Sequence, residues 1–238
     1  MAVRYSIVIP TLNERDNMAP LLTKIDSCGL ADYEIIVVDE HSPDNTLDAV
    51  RAYAGNRTDI TGMFNEGPRG LSPSIVQGFS RANGEILCCM DGDLQHDVKD
   101  LKGLLEAADQ ADFMIGSRYV AGGGFAERWN PVRVLISRTA TLMARVILGV
   151  KASDPMSGFF AIRKSAFMAV RPELSPRGFK IMLELLCLLT RRGGFRIGEY
   201  GITFGKRIHG KSKLSMRVIW EYLGMLLRLR RQLKGKRS

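Results

Sequence analysis

Asp91-Gly92-Asp93 is the sharpest chemical feature of this 238-residue sequence. Two carboxylates two residues apart at the end of a buried strand can converge on one divalent cation. Their hard oxygen donors suit Mg²⁺ or Mn²⁺. Leu94-Gln95-His96-Asp97 follows and adds an amide, an imidazole and a third carboxylate. A D-x-D pair alone is a weak signal, because solvated loops often contain one. Here it follows the apolar run Glu85–Met90, and that context favours the metal reading. A second acidic cluster, Asp39-Glu40, ends another apolar run. An acid in that place can accept from a ribose hydroxyl or a base edge. It can equally cap a helix, since Ser42-Pro43-Asp44 reads as a turn.

These groups need strands to hold them. Tyr5–Ile9, Glu34–Val38, Glu85–Met90 and Asp112–Ile115 are short, apolar and rich in β-branched residues. Continuous apolar runs of this length predict strands buried on both faces, hence a parallel sheet. Helical patterns fall between them, at about Asp16–Ser27, Asp44–Ala54, Ser72–Ala82 and Asp97–Ala108, with Asp44 as a plausible N-cap. Alternating strand and helix predicts a doubly wound α/β sheet, with ligands at the carboxyl ends of the strands. Each predicted strand ends in polar residues there: Thr11-Leu12-Asn13-Glu14, Asp39-Glu40, Asp91-Gly92-Asp93 and Ser117-Arg118.

Several classes drop out. No G-x-G-x-x-G follows the first strand and no G-x-x-x-x-G-K-[ST] occurs, which disfavours dinucleotide-binding dehydrogenases and P-loop proteins. Gly122-Gly123-Gly124 reads as a flexible loop. The four cysteines, Cys28, Cys88, Cys89 and Cys187, form no C-x-x-C pair and read as small buried hydrophobes. No secretory leader is expected at the N-terminus, and no window is apolar enough to span a bilayer. The net charge of +9 is concentrated: residues 205–238 carry eleven Lys/Arg against Glu221, and the rest of the chain is close to neutral. Such a segment seeks an anionic partner. Nucleic acid is disfavoured, since no recognition helix, RNP motif or zinc module accompanies the charge.

Two segments are amphipathic. In 132–150, Arg133, Ser137, Thr141 and Arg145 recur every four residues, with Val134, Leu135, Leu142, Val146 and Ile147 off that stripe. This is either a core helix with a solvated edge or a surface helix turned toward headgroups or an acceptor phosphate. In 215–229 a narrow stripe of Arg217, Glu221, Gly224 and Arg228 interrupts an otherwise apolar helix, and six cationic residues follow across 228–237. That helix must be buried, paired or laid into a membrane.

The order and spacing of Ser-Ile-Val-Ile-Pro-Thr-Leu-Asn-Glu (6–14), Ile-Ile-Val-Val-Asp (35–39), Met-Asp-Gly-Asp-Leu-Gln-His-Asp (90–97) and Ile-Gly-Ser-Arg-Tyr-Val (115–120) resemble glycosyltransferase family 2, with its Rossmann-like GT-A fold. Leu-Ile-Ser-Arg (135–138), Asp-Pro-Met-Ser-Gly-Phe-Phe (154–160) and Gly-Lys-Ser-Lys-Leu (210–214) bring the likeness closer to the dolichyl- or polyprenyl-phosphate mannosyltransferases of that family. The resemblance implies that Pro10, Thr11, Asn13, Glu14, Asp39 and Ser212 hold the nucleotide-sugar. It implies that Asp91, Asp93 and Gln95 hold Mg²⁺ or Mn²⁺ and the diphosphate, and that Arg207 and Lys213 neutralise the leaving group. Arg118, Arg133, Ser137 and Arg138 would bind the acceptor phosphate.

On this reading residues 1–204 are the catalytic domain. Residues 205–238 add a phosphate-binding loop and a membrane-associating helix to the same domain. The implied reaction is inverting transfer of mannose from GDP-mannose to a polyprenyl phosphate lipid. It would take place peripherally on the cytoplasmic face of a membrane, with a separate small membrane subunit as a further implied partner. Asp154 is read either as an orienter of sugar hydroxyls or as the cap of the Pro155 turn. Two departures, Glu40-His41 after Asp39 and Ser72-Pro73 after Gly70-Leu71, bear on base or sugar preference. Transfer of glucose from a UDP-sugar, a non-catalytic membrane adaptor of the same fold, and a polysaccharide synthase module are the competing readings.

Overall fold

The computed structural model describes residues 3–126, 131–205 and 216–234. Tyr5–Thr11 (β1), Tyr33–Asp39 (β2), Ile60–Phe64 (β3), Ile86–Cys89 (β4) and Phe113–Ser117 (β5) appear in chain order, with Arg15–Ser27 (α1), Thr46–Ala54 (α2), Leu71–Arg81 (α3) and Val98–Ala108 (α4) between them. Gly124–Phe125 (β6), Pro131–Leu148 (α5), Phe160–Arg163 (β7), Lys164–Val170 (α6), Ile181–Arg192 (α7), Ile197–Gly201 (β8), Thr203–Phe204 (β9) and Met216–Lys234 (α8) complete the described chain. One sheet has seven strands in the order β3-β2-β1-β4-β7-β5-β8, and β6 pairs with β9 in a small second sheet.

The large sheet is parallel except at β7, which runs antiparallel to both β4 and β5. This is the Rossmann-like α/β arrangement of the GT-A fold. The apolar runs become strands buried on both faces, as their composition predicts. Along β1, Val8 packs into one core layer, with α3, α5, α6, α7 and α8, while Ile7 and Ile9 pack into the other, with α1, α2 and α4. Packing is close where α3 crosses β1: a Cβ on Gly78 would lie 2.4 Å from Val8 Cγ1. Only glycine lets the helix lie that near the sheet.

Three local expectations are corrected. Gly122-Gly123-Gly124 is not simply a flexible loop, because Gly124 and Phe125 pair in register with Thr203 and Phe204. The helix after Asp44 begins at Thr46, with Asn45 at the N-cap in the left-handed region; Asp44 instead accepts from the Thr46 amide and hydroxyl and from the Arg15 amide. The four-residue polar stripe of α5 does not face outward as a unit. Thr141 is buried and Leu135, Leu142 and Val146 are exposed.

The basic C-terminal segment contributes to the core. Tyr222, Met225, Leu226 and Leu229 of α8 are buried in the layer that contains α5 and α7. The Tyr222 hydroxyl donates to the Ala140 carbonyl of α5 at 2.6 Å. Among the described residues no helix is long and apolar enough to cross a membrane.

Candidate active site

The carboxyl ends of β1 and β4 open into a cleft of about 1050 Å³. Pro10, Thr11 and Glu14 line it from the end of β1 and the turn into α1, and Asp91, Gly92 and Asp93 from the end of β4. Its other walls carry Arg69-Gly70-Leu71 before α3, Arg177-Gly178-Phe179 before α7, and Glu221, Gly224, Met225 and Arg228 of α8. Acidic residues and arginines thus line one cavity, as a site for a metal-bound polyphosphate requires.

Asp93 is buried, and its Oδ1 accepts from the Gln95 amide at 3.1 Å. The Gln95 side-chain amide donates to the Gly205 carbonyl at 3.1 Å, which fixes its orientation beside the pair. Between them Leu94 sits at φ +63°, a conformation that costs a non-glycine residue about 1–2 kcal/mol. Strain of this kind gathers at functional sites. Gly158, at the entry to β7, closes the other side of Asp91: a Cβ there would lie 3.0 Å from Asp91 Oδ2. His96 lies beneath, its Nε2 3.6 Å from Asp91 Oδ2 and its ring packed against Phe159 and Phe204. Both His96 ring nitrogens are buried without a hydrogen-bond partner.

Among the described residues no three His, Cys, Asp or Glu side chains form a metal cluster. Two carboxylates and an amide oxygen nevertheless fit Mg²⁺ or Mn²⁺, which take one or two protein carboxylates and complete their shell with substrate phosphate and water. A structural zinc site would need more protein ligands.

Asp39 is almost wholly buried. Its carboxylate accepts from the Thr11 hydroxyl at 2.9 Å, the Ser42 amide at 2.7 Å and the Ser42 hydroxyl at 2.6 Å. It ties the end of β1 to the loop after β2. Asn13 donates its backbone amide to the Ser42 hydroxyl in the same knot. Pro10, Thr11 and Glu14 line the cleft, and Asn13, Asp39 and Gln95 are not among its lining residues.

The residues expected to bind the acceptor lie around Asp154 and the start of α5. Arg118 Nε and Nη2 donate to Asp154 at 2.7 and 2.8 Å, a bidentate pair in which Asp154 is fully buried. Burial opposes the charge on Arg118, but Asp154 outweighs it and the guanidinium pKa is raised. Asp154 is thus the partner of Arg118, a contact neither reading of it anticipated. Ser137 hydrogen-bonds Tyr119 Oη at 3.1 Å. Arg138 is exposed one residue further along α5. Arg133 lies in the first turn of α5, and its side chain is outside the described residues, as are Arg207, Ser212 and Lys213 entirely.

Lys180 is close to both Asp91 and Arg118, and the sequence reading missed it. Its Nζ donates to the Met156 carbonyl at 2.8 Å. Burial and the nearby Arg118 hold its ammonium down at about 8, while Asp91 and Asp154 pull the other way. The only sequence signal was a lysine directly before the largely apolar segment Ile181–Leu189, which Glu184 interrupts. Arg69 and Arg177 were missed as well, because nothing in their sequence neighbourhoods marks them as lining the same cleft as the carboxylates.

Residues 6–171 match the profile described as glycosyl transferase family 2. The chain belongs to glycosyltransferase family 2. This glycosyltransferase is 38% identical over 237 residues to the dolichol-phosphate mannosyltransferase of Saccharomyces cerevisiae, covering 96% of this chain and 88% of the yeast protein. It is 40% identical to the dolichol-phosphate mannosyltransferase of Pyrococcus furiosus, covering 95% of this chain and 64% of that longer protein. Among solved structures, glucosyl-3-phosphoglycerate synthase from Mycobacterium tuberculosis, in complex with Mg²⁺ and UDP, superposes with TM-score 0.72 at 18% identity. That match covers 99% of this glycosyltransferase and 81% of the synthase, and it establishes the shared fold.

Proposed function

We propose that this glycosyltransferase moves mannose from GDP-mannose to a polyprenyl phosphate of the dolichyl type, with inversion at the sugar carbon. The observation that carries the reading is the cleft that gathers Asp91 and Asp93 with Arg69, Arg177 and Arg228 at the end of β4. The mannose and the lipid acceptor rest on the relatives in yeast and Pyrococcus furiosus, each a dolichol-phosphate mannosyltransferase.

Departure of the nucleoside diphosphate is the demanding step, because negative charge builds as the sugar becomes oxocarbenium-like. Asp91, Asp93 and Gln95 would hold Mg²⁺ or Mn²⁺, which when bound supplies Lewis-acid stabilisation of that charge. Arg207 and Lys213, with the cleft arginines, would share it, and Ser212 would hold the donor phosphates. Pro10, Thr11 and Glu14 line the donor side, with Asn13 and Asp39 holding the adjoining loops together through Ser42 and Thr11. A phosphate acceptor is already an anion near neutral pH, so the reaction needs positioning more than a general base. Arg133 and Ser137 are assigned that role. Arg118, fixed by Asp154, and Lys180 bridge the acceptor residues to the cleft. Transfer to a lipid phosphate would place the protein at a membrane surface, on the cytoplasmic face by family resemblance.

A donor panel assayed with a short-chain polyprenyl phosphate tests this directly. GDP-mannose is expected to be used well ahead of UDP-glucose, and preference for UDP-glucose would refute the mannose assignment. In the same assay Asp91→Asn and Asp93→Asn are expected to lose at least about a hundredfold in rate while keeping the wild-type melting temperature. Full activity in either variant would end the metal assignment.

A further inference from the structure

We propose that His96 is a positioning residue for Asp91: its Nε2–H holds one oxygen of the Asp91 carboxylate and so turns the other toward a divalent cation. The inference rests on the reading of Asp91 and Asp93 as that cation's ligands. It starts from a histidine that packing alone does not explain. His96 is only 4% exposed, and both of its ring nitrogens are buried without a hydrogen-bond partner among the described residues. A buried polar atom left without a partner is costly, so core side chains of this kind are nearly always paired. The ring lies against Phe159 and Phe204, with centroids 4.6 Å and 5.2 Å away. A phenyl group would serve that packing as well, at no such cost.

What the imidazole meets is a carboxylate. Nε2 lies 3.6 Å from Asp91 Oδ2, just beyond hydrogen-bond length. Hydrogen bonds in active sites are often long in the free protein and tighten when the complex forms. His96 is firmly held. Its backbone forms an antiparallel bridge with Phe204, and the Gly205 amide donates to the neighbouring Gln95 carbonyl at 2.7 Å. Closing the gap therefore falls to the Asp91 side chain, which is 33% exposed and borders the cleft. Gly158 has no Cβ to crowd it; one there would lie 3.0 Å from Oδ2. A carboxylate with one oxygen tied to a fixed donor offers the other to a cation in one orientation. Donors placed behind a metal ligand in this way set its affinity for the metal. His96 does not line the cleft, so it acts through Asp91 and touches neither cation nor donor.

Titration of the full chain with Mn²⁺ tests this, following the electron paramagnetic resonance of the free ion with saturating GDP or, separately, UDP. The wild type is expected to bind Mn²⁺ with at least one of the two nucleotides. His96→Phe keeps the aromatic packing and removes the donor. It is expected to weaken Mn²⁺ binding about tenfold or more while melting at or above the wild-type temperature. His96→Gln offers an amide N–H at a similar reach but loses the ring packing. It is expected to keep most of the affinity and to melt lower. In transfer assays His96→Phe is expected to need about tenfold more Mn²⁺ for half-maximal rate, with most of the maximal rate restored at saturation.

A histidine kept only for packing predicts the reverse order, with His96→Phe binding Mn²⁺ as the wild type does and His96→Gln impaired. That order, wild-type affinity in both variants, or equal loss in both would overturn the inference. If His96→Gln does not fold, the Mn²⁺ dependence of the His96→Phe rate decides: a restored maximum supports positioning, and a maximum that stays low overturns it. Failure of the metal reading looks different. Then the wild type binds no Mn²⁺ with either nucleotide, or Asp91→Asn binds it as well as the wild type, and the inference falls with that reading. If Asp91→Asn loses Mn²⁺ and His96→Phe does not, only the role of His96 is refuted.

Discussion

At the scale of single residues, the Arg118–Asp154 pair decides more than its distance from the D-x-D carboxylates suggests. Both charges are out of water, so each depends on the other. Asp154→Ala would strand a buried guanidinium and is expected to cost about 3–5 kcal/mol in urea unfolding. The double variant Arg118→Met with Asp154→Leu is expected to recover most of that stability without recovering transfer. Lys180 gives a different signature. Its ammonium is penalised in the folded state, with a pKa of about 8 against an ordinary 10.5. The penalty is therefore present below pH 8 and lifts as pH rises toward 10.5. Lys180→Met is expected to be at least as stable as wild type at pH 7 and to lose that advantage across the window, while transfer falls about a hundredfold. Melts over that pH range, with rate assays at pH 7, check both halves.

At the scale of elements, what a sequence shows is what local composition dictates. β1, β2, β4 and β5 were legible because central parallel strands must be apolar on both faces, and α1–α4 because each presents one apolar stripe to a sheet layer. β3 and β8 were not, since they lie at the sheet edges and keep partly exposed, mixed residues. Nor was β7, for nothing in Phe160-Ala161-Ile162-Arg163 records that the chain enters the sheet reversed. That reversal brings Gly158 against Asp91, so half of the candidate site was beyond local reading. The D-x-D pair was legible because its preceding strand was. Lys180 was not, because its place arises only when the residue before α7 meets the Met156 carbonyl in the loop before β7.

The same scale carries a stability prediction at the far end of the sheet from the cleft. Asp26 at the end of α1 accepts from the Tyr33 and Tyr53 hydroxyls, each at 2.6 Å, and from Arg57. This joins α1, β2, α2 and the turn into β3. Arg57 and then the two tyrosines hold the Asp26 pKa at about 2, below its ordinary 3.8, against an opposing effect of burial. The stabilisation is complete above pH 3.8 and is lost as pH falls through about 2. Asp26→Asn is expected to cost about 1 kcal/mol at neutral pH, the modest value of a partly solvated pair. It should also flatten the acid limb of the stability curve between pH 4 and pH 2. Urea midpoints at several pH values would show a wild-type slope that the variant lacks.

At the scale of the whole molecule, the basic C-terminal segment is divided. The part described as α8 has a wall of the core on one side, through Tyr222, Met225, Leu226 and Leu229. Leu226→Ala is expected to cost about 2–5 kcal/mol within a single unfolding transition. An unchanged midpoint would make α8 an appendage. Another side, through Glu221, Gly224, Met225 and Arg228, closes the cleft. Trp220 and Leu227 face outward, 68% and 54% exposed. One helix therefore touches the core, the cleft and whatever lies outside. Thermodynamic reciprocity then applies: any surface that shifts this helix on contact alters affinity for the cleft's ligand, and that ligand must alter affinity for the surface by the same factor.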